Sequence, residues 1–215
     1  MRICATIACF GFGLVGCGSS EDASSQSTQS TQSQFGIVSG FNQTASLTNA
    51  ISGSVSSGAG VVTYEVGVDN TNEVYVGSVK INQGTNPGNV GTGSATYAGN
   101  YEFGYIDQIN TNQLSQDSES GTISLLVDFG NSTVTGTSVD TAAQADMSVV
   151  PELVINGTIS GTTLSGTADV GFSNTVNSGT LQTTLAGEVG DEALIGAFFG
   201  NDSDTVVAGA VIVED

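Results

Sequence analysis

Hydrophobic and polar residues alternate in short runs along most of the chain after Phe35, and Gly, Asn, Asp and Ser separate these runs. Around residue 125 the apolar side chains occupy every second position (Ile123, Leu125, Val127 and Phe129). A second run alternates in the same way (Leu153, Ile155 and Ile159), and a third is aromatic (Tyr97, Tyr101, Phe103 and Tyr105). This period of two predicts antiparallel strands, each with one buried face and one solvated face.

Eight such runs follow one another in the C-terminal part of the chain. The predicted strands cover about residues 94–106, 121–129, 132–139, 151–159, 162–172, 179–189, 193–200 and 204–213. Because no segment has a convincing amphipathic-helix pattern, the predicted fold class is all-β, with an eight-stranded antiparallel up-and-down barrel over residues 91–215. Side chains can fill the interior of such a barrel, or it can hold one small ligand.

Two adjacent phenylalanines in the seventh run must point to opposite faces of its strand. We expect Phe198 to point into the barrel, since the small residues Gly196 and Gly200 share its face and leave room for a large ring. Phe199 should then pack outside the barrel, against a loop or against the handle subdomain predicted below.

Residues 35–90 predict a small β-rich handle subdomain ahead of the barrel. Its strands are expected near residues 36–41, 46–55, 61–68 and 73–81, and Asp69-Asn70-Thr71-Asn72 joins the last two as a hairpin. Gly84-Thr85-Asn86-Pro87-Gly88-Asn89 carries strong turn signals, so we place the subdomain boundary there.

The first 34 residues differ in composition from the rest of the chain. Arg2 and an apolar run from Ile3 predict a signal peptide over residues 1–16, because the run is shorter than the ~20 residues that a spanning helix needs. Residues 18–34 are mostly Ser, Gln and Thr, and this composition predicts a disordered tether. Leu14-Val15-Gly16-Cys17 resembles a bacterial lipobox, which implies removal of the signal and acylation of Cys17, for example with palmitate. The alternative is an ordinary signal peptide with a chance cysteine.

The charge balance narrows the possible partners. The chain has 21 acidic residues and two basic ones, and removal of Arg2 leaves Lys80 as the single cation. Binding to nucleic acid or docking on anionic lipid by charge is therefore excluded. The scattered acids either keep the chain solvated or form an acidic binding face.

Histidine is absent, and no cysteine follows Cys17. Nucleophilic Ser-His-Asp and Cys-His sites, ordinary zinc sites and histidine-ligated haem are therefore excluded. Tyrosine ligation of a haem remains open, although core packing is the favoured role for the tyrosines (Tyr64, Tyr75, Tyr97, Tyr101 and Tyr105). Asp202-Ser203-Asp204 and the segment 69–73 could supply oxygen ligands for calcium, but hairpin turns explain them better. We expect no enzyme, no metal and no cofactor.

Three sequence motifs resemble motifs of the barrel domain of transferrin-binding protein B and occur in the same order along the chain. They are the runs Ala95-Thr96-Tyr97-Ala98-Gly99-Asn100-Tyr101, Val127-Asp128-Phe129-Gly130 with Gly136, and Gly196-Ala197-Phe198-Phe199-Gly200 followed by Val207-Ala208-Gly209. The chain has room for one lobe, as in single-lobe relatives such as factor H-binding lipoproteins, haemoglobin receptors and haem-scavenging proteins.

This resemblance implies a lipoprotein of the outer membrane, displayed on the cell surface, that binds a protein or an iron or haem carrier in nutrient acquisition. It also implies hand-over to an outer-membrane transporter. The alternative is a structural or interaction lipoprotein of the cell envelope without a small ligand. The sequence leaves the ligand-binding residues unknown, because binding would use loops, where a single sequence gives no constraint.

Overall fold

The computed structural model describes residues 48–68, 75–81, 86–107, 114–139, 153–173 and 178–215. The signal, Cys17, the tether, the strand expected near 36–41 and the turn at 69–72 lie outside the described residues. Within the described part, the chain is all-β and forms one three-stranded sheet and one closed eight-stranded barrel. The predicted fold class is therefore confirmed.

The barrel strands follow one another in sequence order, and the last closes on the first. They are β4 (Ser94–Asp107), β5 (Ser115–Asp128), β6 (Thr133–Val139), β7 (Leu153–Ser160), β8 (Thr163–Ser173), β9 (Ser178–Val189), β10 (Ala193–Asn201) and β11 (Val206–Glu214). All neighbours pair antiparallel, which is the up-and-down connectivity expected from the eight runs.

One boundary in the barrel was predicted wrongly. β5 begins at Ser115, not near residue 121, and its first half pairs with the end of β4 as far as the partners Asp107 and Ser115. The segment 115–120 has no apolar alternation because its side chains are mostly exposed, so the pattern gave no strand signal there.

Alternate side chains of every barrel strand fill the interior. The largest fully buried ones include Tyr97, Phe103 and Phe198, and the rings of Phe103 and Phe198 lie 6.2 Å apart in a tilted arrangement. Phe198 is 0% exposed, so the expectation that it points inward is confirmed. Its ring lies directly against Gly209, where an added Cβ would come within 2.4 Å of Phe198 Cζ.

The three-stranded sheet has the order β1 (Thr48–Ser56), β2 (Val61–Val68) and β3 (Tyr75–Ile81). The predicted pairing of the last two is confirmed, since β2 and β3 are antiparallel neighbours. One face of the sheet packs on the outer wall of β4, β10 and β11 and forms a second core. Its buried members are Val55, Val62, Tyr64, Val66, Ile106, Ile195, Ala197, Val206, Ala208, Ala210 and Ile212, and Phe199 packs against them.

The two ends of the barrel differ. At the turn end, the short connections 129–132, 161–162 and 190–192 join the strands. At the mouth end, the connections are residues 108–114, 140–152, 174–177 and 202–205, and of these residue 114 and residues 202–205 are described.

Residues 86–93, which we call the strap, lead from the small sheet into β4 and cross the turn end. The carbonyl of Pro87 accepts hydrogen bonds from the backbone N–H groups of Glu192 (3.1 Å) and Ala193 (3.0 Å). The N–H of Asn89 donates a hydrogen bond of 2.6 Å to the Asp191 carboxylate. The N–H of Asp191 donates one of 2.8 Å to the Asn89 carbonyl. The turn residues predicted at 86–89 are therefore part of a hydrogen-bonded strap.

Candidate functional site

The mouth end carries a group of polar side chains that continue the inward face of β4 and β5. Asp107 ends β4 and is only 3% exposed, and its Oδ1 accepts a hydrogen bond of 2.9 Å from the Thr205 hydroxyl. Asp117 and Glu119 occupy the same alternate positions of β5 as the inward-facing Gly121, so they point toward the mouth. We call Tyr105, Asp107, Asp117, Glu119 and Thr205 the mouth cluster.

The electrostatics of the mouth cluster are negative. The pKa of Tyr105 is raised to about 12, first by burial and then by the negative charges of Asp117, Glu119 and Asp107. A phenol surrounded in this way keeps its proton because the anion would face three carboxylates. The same arrangement favours positively charged groups of a partner at the mouth.

The hairpin of β10 and β11 completes this end. Asp202 Oδ1 accepts hydrogen bonds from the backbone N–H groups of Asp204 (2.8 Å) and Thr205 (2.7 Å). This carboxylate therefore closes a turn, which is the role that the sequence favoured over a calcium loop. The second candidate loop, residues 69–73, lies outside the described residues. In the part of the chain that the structure describes, no three His, Cys, Asp or Glu residues are grouped so that they could hold a metal ion.

The tyrosines serve packing. Tyr97, Tyr101 and Tyr105 belong to the barrel core and Tyr64 to the second core, while the side chain of Tyr75 is not described. The Tyr97 hydroxyl donates a buried hydrogen bond of 2.7 Å to the carbonyl of Gly190 in the turn beneath the strap. Burial and the charges of Asp215 and Asp191 raise the pKa of Tyr97. The favoured core role is confirmed for the four described tyrosines.

A polar contact joins the second core to the barrel wall. The Tyr64 hydroxyl donates a hydrogen bond of 2.9 Å to Glu102 Oε1, so β2 is tied to β4. Burial raises the pKa of Tyr64, and the hydrogen bond and charge of Glu102 raise it further. The ring crosses Gly53 of β1, where an added Cβ would overlap both the Tyr64 ring and the Glu102 carboxylate.

Among the described residues, two clefts lie where the small sheet meets the barrel. The first, of ≈ 430 Å³, lies at the turn end and contains four acidic residues (Asp191, Glu192, Glu214 and Asp215). The second, of ≈ 380 Å³, lies between the end of β1 and the outer wall of β4 and β5, and we call it the wall groove. Its lining is Ser54, Val55, Ser56, Asn100, Tyr101, Glu102, Ser120, Gly121 and Thr122.

Sequence reasoning did not find the mouth cluster. Asp117 and Glu119 lie in the half of β5 that was not predicted as strand, so their shared face with Ile123 and Leu125 was hidden. The register of β5 carries this face from Ile123 back to Asp117, but no apolar residue marks the face before Ile123, so the sequence pattern gave no signal for it. Cys17, the one site residue named from the sequence, lies outside the described residues, and no helix among the described residues is long and apolar enough to cross a membrane.

Comparison with known proteins identifies the barrel. A family model of the C-lobe and N-lobe β-barrels of Tf-binding protein B matches residues 90–211, which is more than half of the chain. A search of curated proteins found no match. Among solved structures, the chain is similar to a double mutant of the vaccine antigen transferrin-binding protein B from Haemophilus parasuis Hp5.

The TM-score for that structure is 0.44 at 13% sequence identity, and the match covers 79% of this chain and 38% of the other. The chain therefore corresponds to well under half of that protein. The family assignment follows from the family model, whose match begins in the strap and ends within β11. The chain belongs to the family of transferrin-binding protein B-type β-barrels.

Proposed function

We propose that this chain is a lipid-anchored binding module of the outer membrane, displayed on the cell surface, which captures a protein or an iron or haem carrier. The observation that carries the proposal is the match of the transferrin-binding protein B barrel model to residues 90–211. The similar protein of known structure is named for binding transferrin. That this chain also binds a carrier is our proposal. The module acts by binding and would pass its ligand to an outer-membrane transporter.

The packing of the barrel supports binding on its surface. Tyr97, Phe103 and Phe198 are each 0% exposed and belong to the core that fills the barrel interior, where a ligand would otherwise lie. A partner must therefore contact the outside or one end. The mouth end is favoured because it carries the longer connections and the mouth cluster, and loops on a rigid scaffold are the usual place for binding residues.

The proposed anchor is the acylated Cys17, followed by the tether of residues 18–34. At about 5–6 Å × √n for a flexible chain, this tether gives a mean reach of roughly 20–25 Å. Cys17→Ala should abolish incorporation of radiolabelled palmitate and release the protein from the membrane fraction, because durable attachment needs more than one acyl chain. Equal labelling of wild type and Cys17→Ala would contradict the anchor.

The experiment that tests the binding function is a pull-down with the soluble fragment Gly18–Asp215. Growth-medium proteins, purified carrier proteins and free haem are offered as separate samples. We expect a specific carrier protein to be retained and free haem to be lost on washing, because the barrel interior is filled. Retention of free haem alone would contradict protein capture.

The filled interior also supports a second candidate, a structural or interaction lipoprotein of the envelope without a small ligand. This candidate expects partners among the proteins of the same envelope. Retention of envelope proteins, with no carrier retained from the medium, would favour it over nutrient acquisition.

A further inference from the structure

The barrel has a wall that faces away from the small sheet. The sheet packs on β4, β10 and β11, and β8 lies across the barrel from β4, because three strands separate the two in either direction around the closed order. The outward side chains of β7 and β8 are polar apart from Val154, and the described ones belong to neither hydrophobic core. This part of the barrel surface is therefore a different surface from the wall that holds the sheet.

The register of β7, β8 and β9 arranges six outward side chains in two neighbouring rows. One row contains Val154, Asp169 and Gln182, and the next contains Asn156, Thr167 and Thr184. Directly paired residues of adjacent strands have Cβ atoms about 4.5–5.5 Å apart, so each row is roughly 10 Å wide. We call these six residues the far patch. Asp169 is the one charged residue among them.

Asp169 has a buried oxygen without a partner. In the described part of the chain, its Oδ1 is the one buried side-chain nitrogen or oxygen that makes no hydrogen bond. Such atoms are rare in folded proteins, because an acceptor that is removed from water and left unpaired raises the free energy of the fold. The Oδ1 atom therefore adds no hydrogen bond to the fold and is available to a donor from outside the chain.

The charges of the chain favour a cationic donor. A carboxylate oxygen that water does not reach attracts a positive group more strongly than an exposed one does, because its surroundings screen the charge less. The chain has only two basic residues. Arg2 belongs to the predicted signal peptide, and Lys80 lies in β3, a strand of the sheet that packs on the opposite side of the barrel. A partner must therefore supply the cation.

The neighbours of Asp169 match the shape of an arginine side chain. Val154 on one side is partly buried and offers an apolar contact to the arginine stem. Gln182 on the other side is exposed, and its amide oxygen can accept a further N–H of the planar guanidinium group. We propose that the far patch binds an arginine side chain presented by a partner protein, with the Asp169 carboxylate as its main acceptor.

This inference goes beyond the proposed function and does not depend on it. The far patch lies on the outer face of the barrel, whereas the mouth cluster continues the inward face of β4 and β5. Neither acylation of Cys17 nor capture of a carrier at the mouth is needed for an arginine to bind at Asp169. Variants of the far patch and of the mouth therefore test two separate surfaces.

An NMR titration of ¹⁵N-labelled Gly18–Asp215 with the blocked tripeptide acetyl-Gly-Arg-Gly-amide measures this binding at each backbone amide. We expect saturable shifts at Asp169 and at its cross-strand neighbours Val154 and Gln182. Asp169→Asn should weaken binding at these amides at least about tenfold, because the charge-assisted hydrogen bonds are lost. The corresponding lysine tripeptide should bind more weakly at the same ionic strength, because an ammonium group cannot form two parallel hydrogen bonds with a carboxylate.

Asp128→Asn is the matched control, since it removes the same charge from another outward position of the barrel. The Asp128 carboxylate already accepts two hydrogen bonds from Asn131, of 2.9 Å and 2.8 Å, so this variant should bind the arginine tripeptide at the far patch like wild type. Absence of saturable shifts at the far patch, unchanged binding in Asp169→Asn, or equal binding of the lysine tripeptide would overturn the proposal.

Thermal unfolding without any ligand distinguishes binding from a structural role. Because Oδ1 has no partner in the fold, Asp169→Asn and Asp169→Thr should unfold at a Tm at least as high as that of wild type. Asp128→Asn should lower the Tm, because Asn131 loses a charged acceptor. A Tm below that of wild type for both Asp169 variants would assign the carboxylate to folding and overturn the proposal.

Discussion

Two adjacent phenylalanines of β10 serve two different cores. Phe198 fills the barrel against Phe103 and Gly209, whereas Phe199 points outward and packs partly buried against the small sheet. The alternation of a strand forces this division. Sequence reasoning could assign the inward ring because glycines share its face, but it left open whether the outward ring packs against the handle or a loop.

Phe198→Ala should lower the free energy of unfolding by about 3–5 kcal/mol, since truncation leaves a cavity among fully buried side chains. Phe199→Ala should cost less, about 1–2 kcal/mol, because its ring is only partly buried. Urea denaturation of both variants measures the difference. Equal and small losses would show that β10 does not belong to a packed barrel.

The raised pKa of Tyr105 predicts a loss of stability in alkali. Its pKa of about 12 in the folded protein lies above the value of about 10 in an unfolded chain. The fold therefore retains the proton more strongly, and the resulting stability is full below about pH 10 and falls as the pH rises toward 12. Tyr105→Phe should lose less stability than wild type between about pH 10 and 12 in urea denaturation. Parallel profiles for the two proteins would contradict the role of Tyr105.

At the scale of elements, β11 shows what a continuous apolar run means. Its residues Val206–Val213 are all buried, because alternate side chains face the barrel interior and the small sheet. An unbroken run of this kind indicates a strand covered on both faces. Sequence reasoning placed the strand correctly, and the same run could also have located the docking of the sheet.

The strap shows what local turn signals leave out. Pro87 and Gly88 predict a turn between the small sheet and the barrel, but they do not predict that Pro87 is buried or that its carbonyl binds the β9–β10 turn. Turn residues report backbone conformation and say nothing about distant partners. The partners of the strap lie more than 100 positions further along the chain. Closure of the barrel brings them to the strap, and a single sequence does not show that closure.

Asp191→Ala should therefore destabilise the protein by about 1–2 kcal/mol, because the N–H of Asn89 loses a charged acceptor. Glu192→Ala is the matched control, since it removes the same charge from the next exposed position and keeps the backbone bonds to Pro87. Thermal unfolding compares the two variants. Equal shifts in Tm would show that the strap is not held by Asp191.

At the scale of the whole molecule, we propose that residues 91–215 form a unit that folds without residues 35–90. Every barrel strand has both neighbours within this fragment, so closure does not depend on the small sheet. The fragment nevertheless exposes an apolar outer wall that the sheet covers in the whole chain, including Ile195, Ala208 and Ile212.

We expect the fragment 91–215 to unfold cooperatively and to self-associate through this wall. The fragment 86–215 should be more stable because it keeps the strap, and the chain 35–215 should remain monomeric. Light scattering and thermal unfolding of the three proteins check these outcomes. Absence of a cooperative transition in both shorter fragments would contradict an autonomous barrel.

The fold class, the barrel topology and most strand bounds could be predicted because each depends on alternation within one strand. The docking of the small sheet, the mouth cluster and the strap could not, because each joins residues from distant strands. Asp107 and Thr205, for example, lie 98 positions apart and meet only when β11 closes on β4.

The central claim is that a carrier protein binds at the mouth. It is tested most directly by measuring binding of transferrin, haemoglobin and free haem to immobilised Gly18–Asp215 and to two double variants with equal charge changes. One removes charge at the mouth (Asp117→Asn with Glu119→Gln), and the other at the turn end (Asp191→Asn with Glu192→Gln). We predict that a carrier protein binds wild type and the turn-end variant alike, and that the mouth variant binds about tenfold more slowly at low salt. Failure of every carrier to bind, or equal weakening by both variants, would contradict the account.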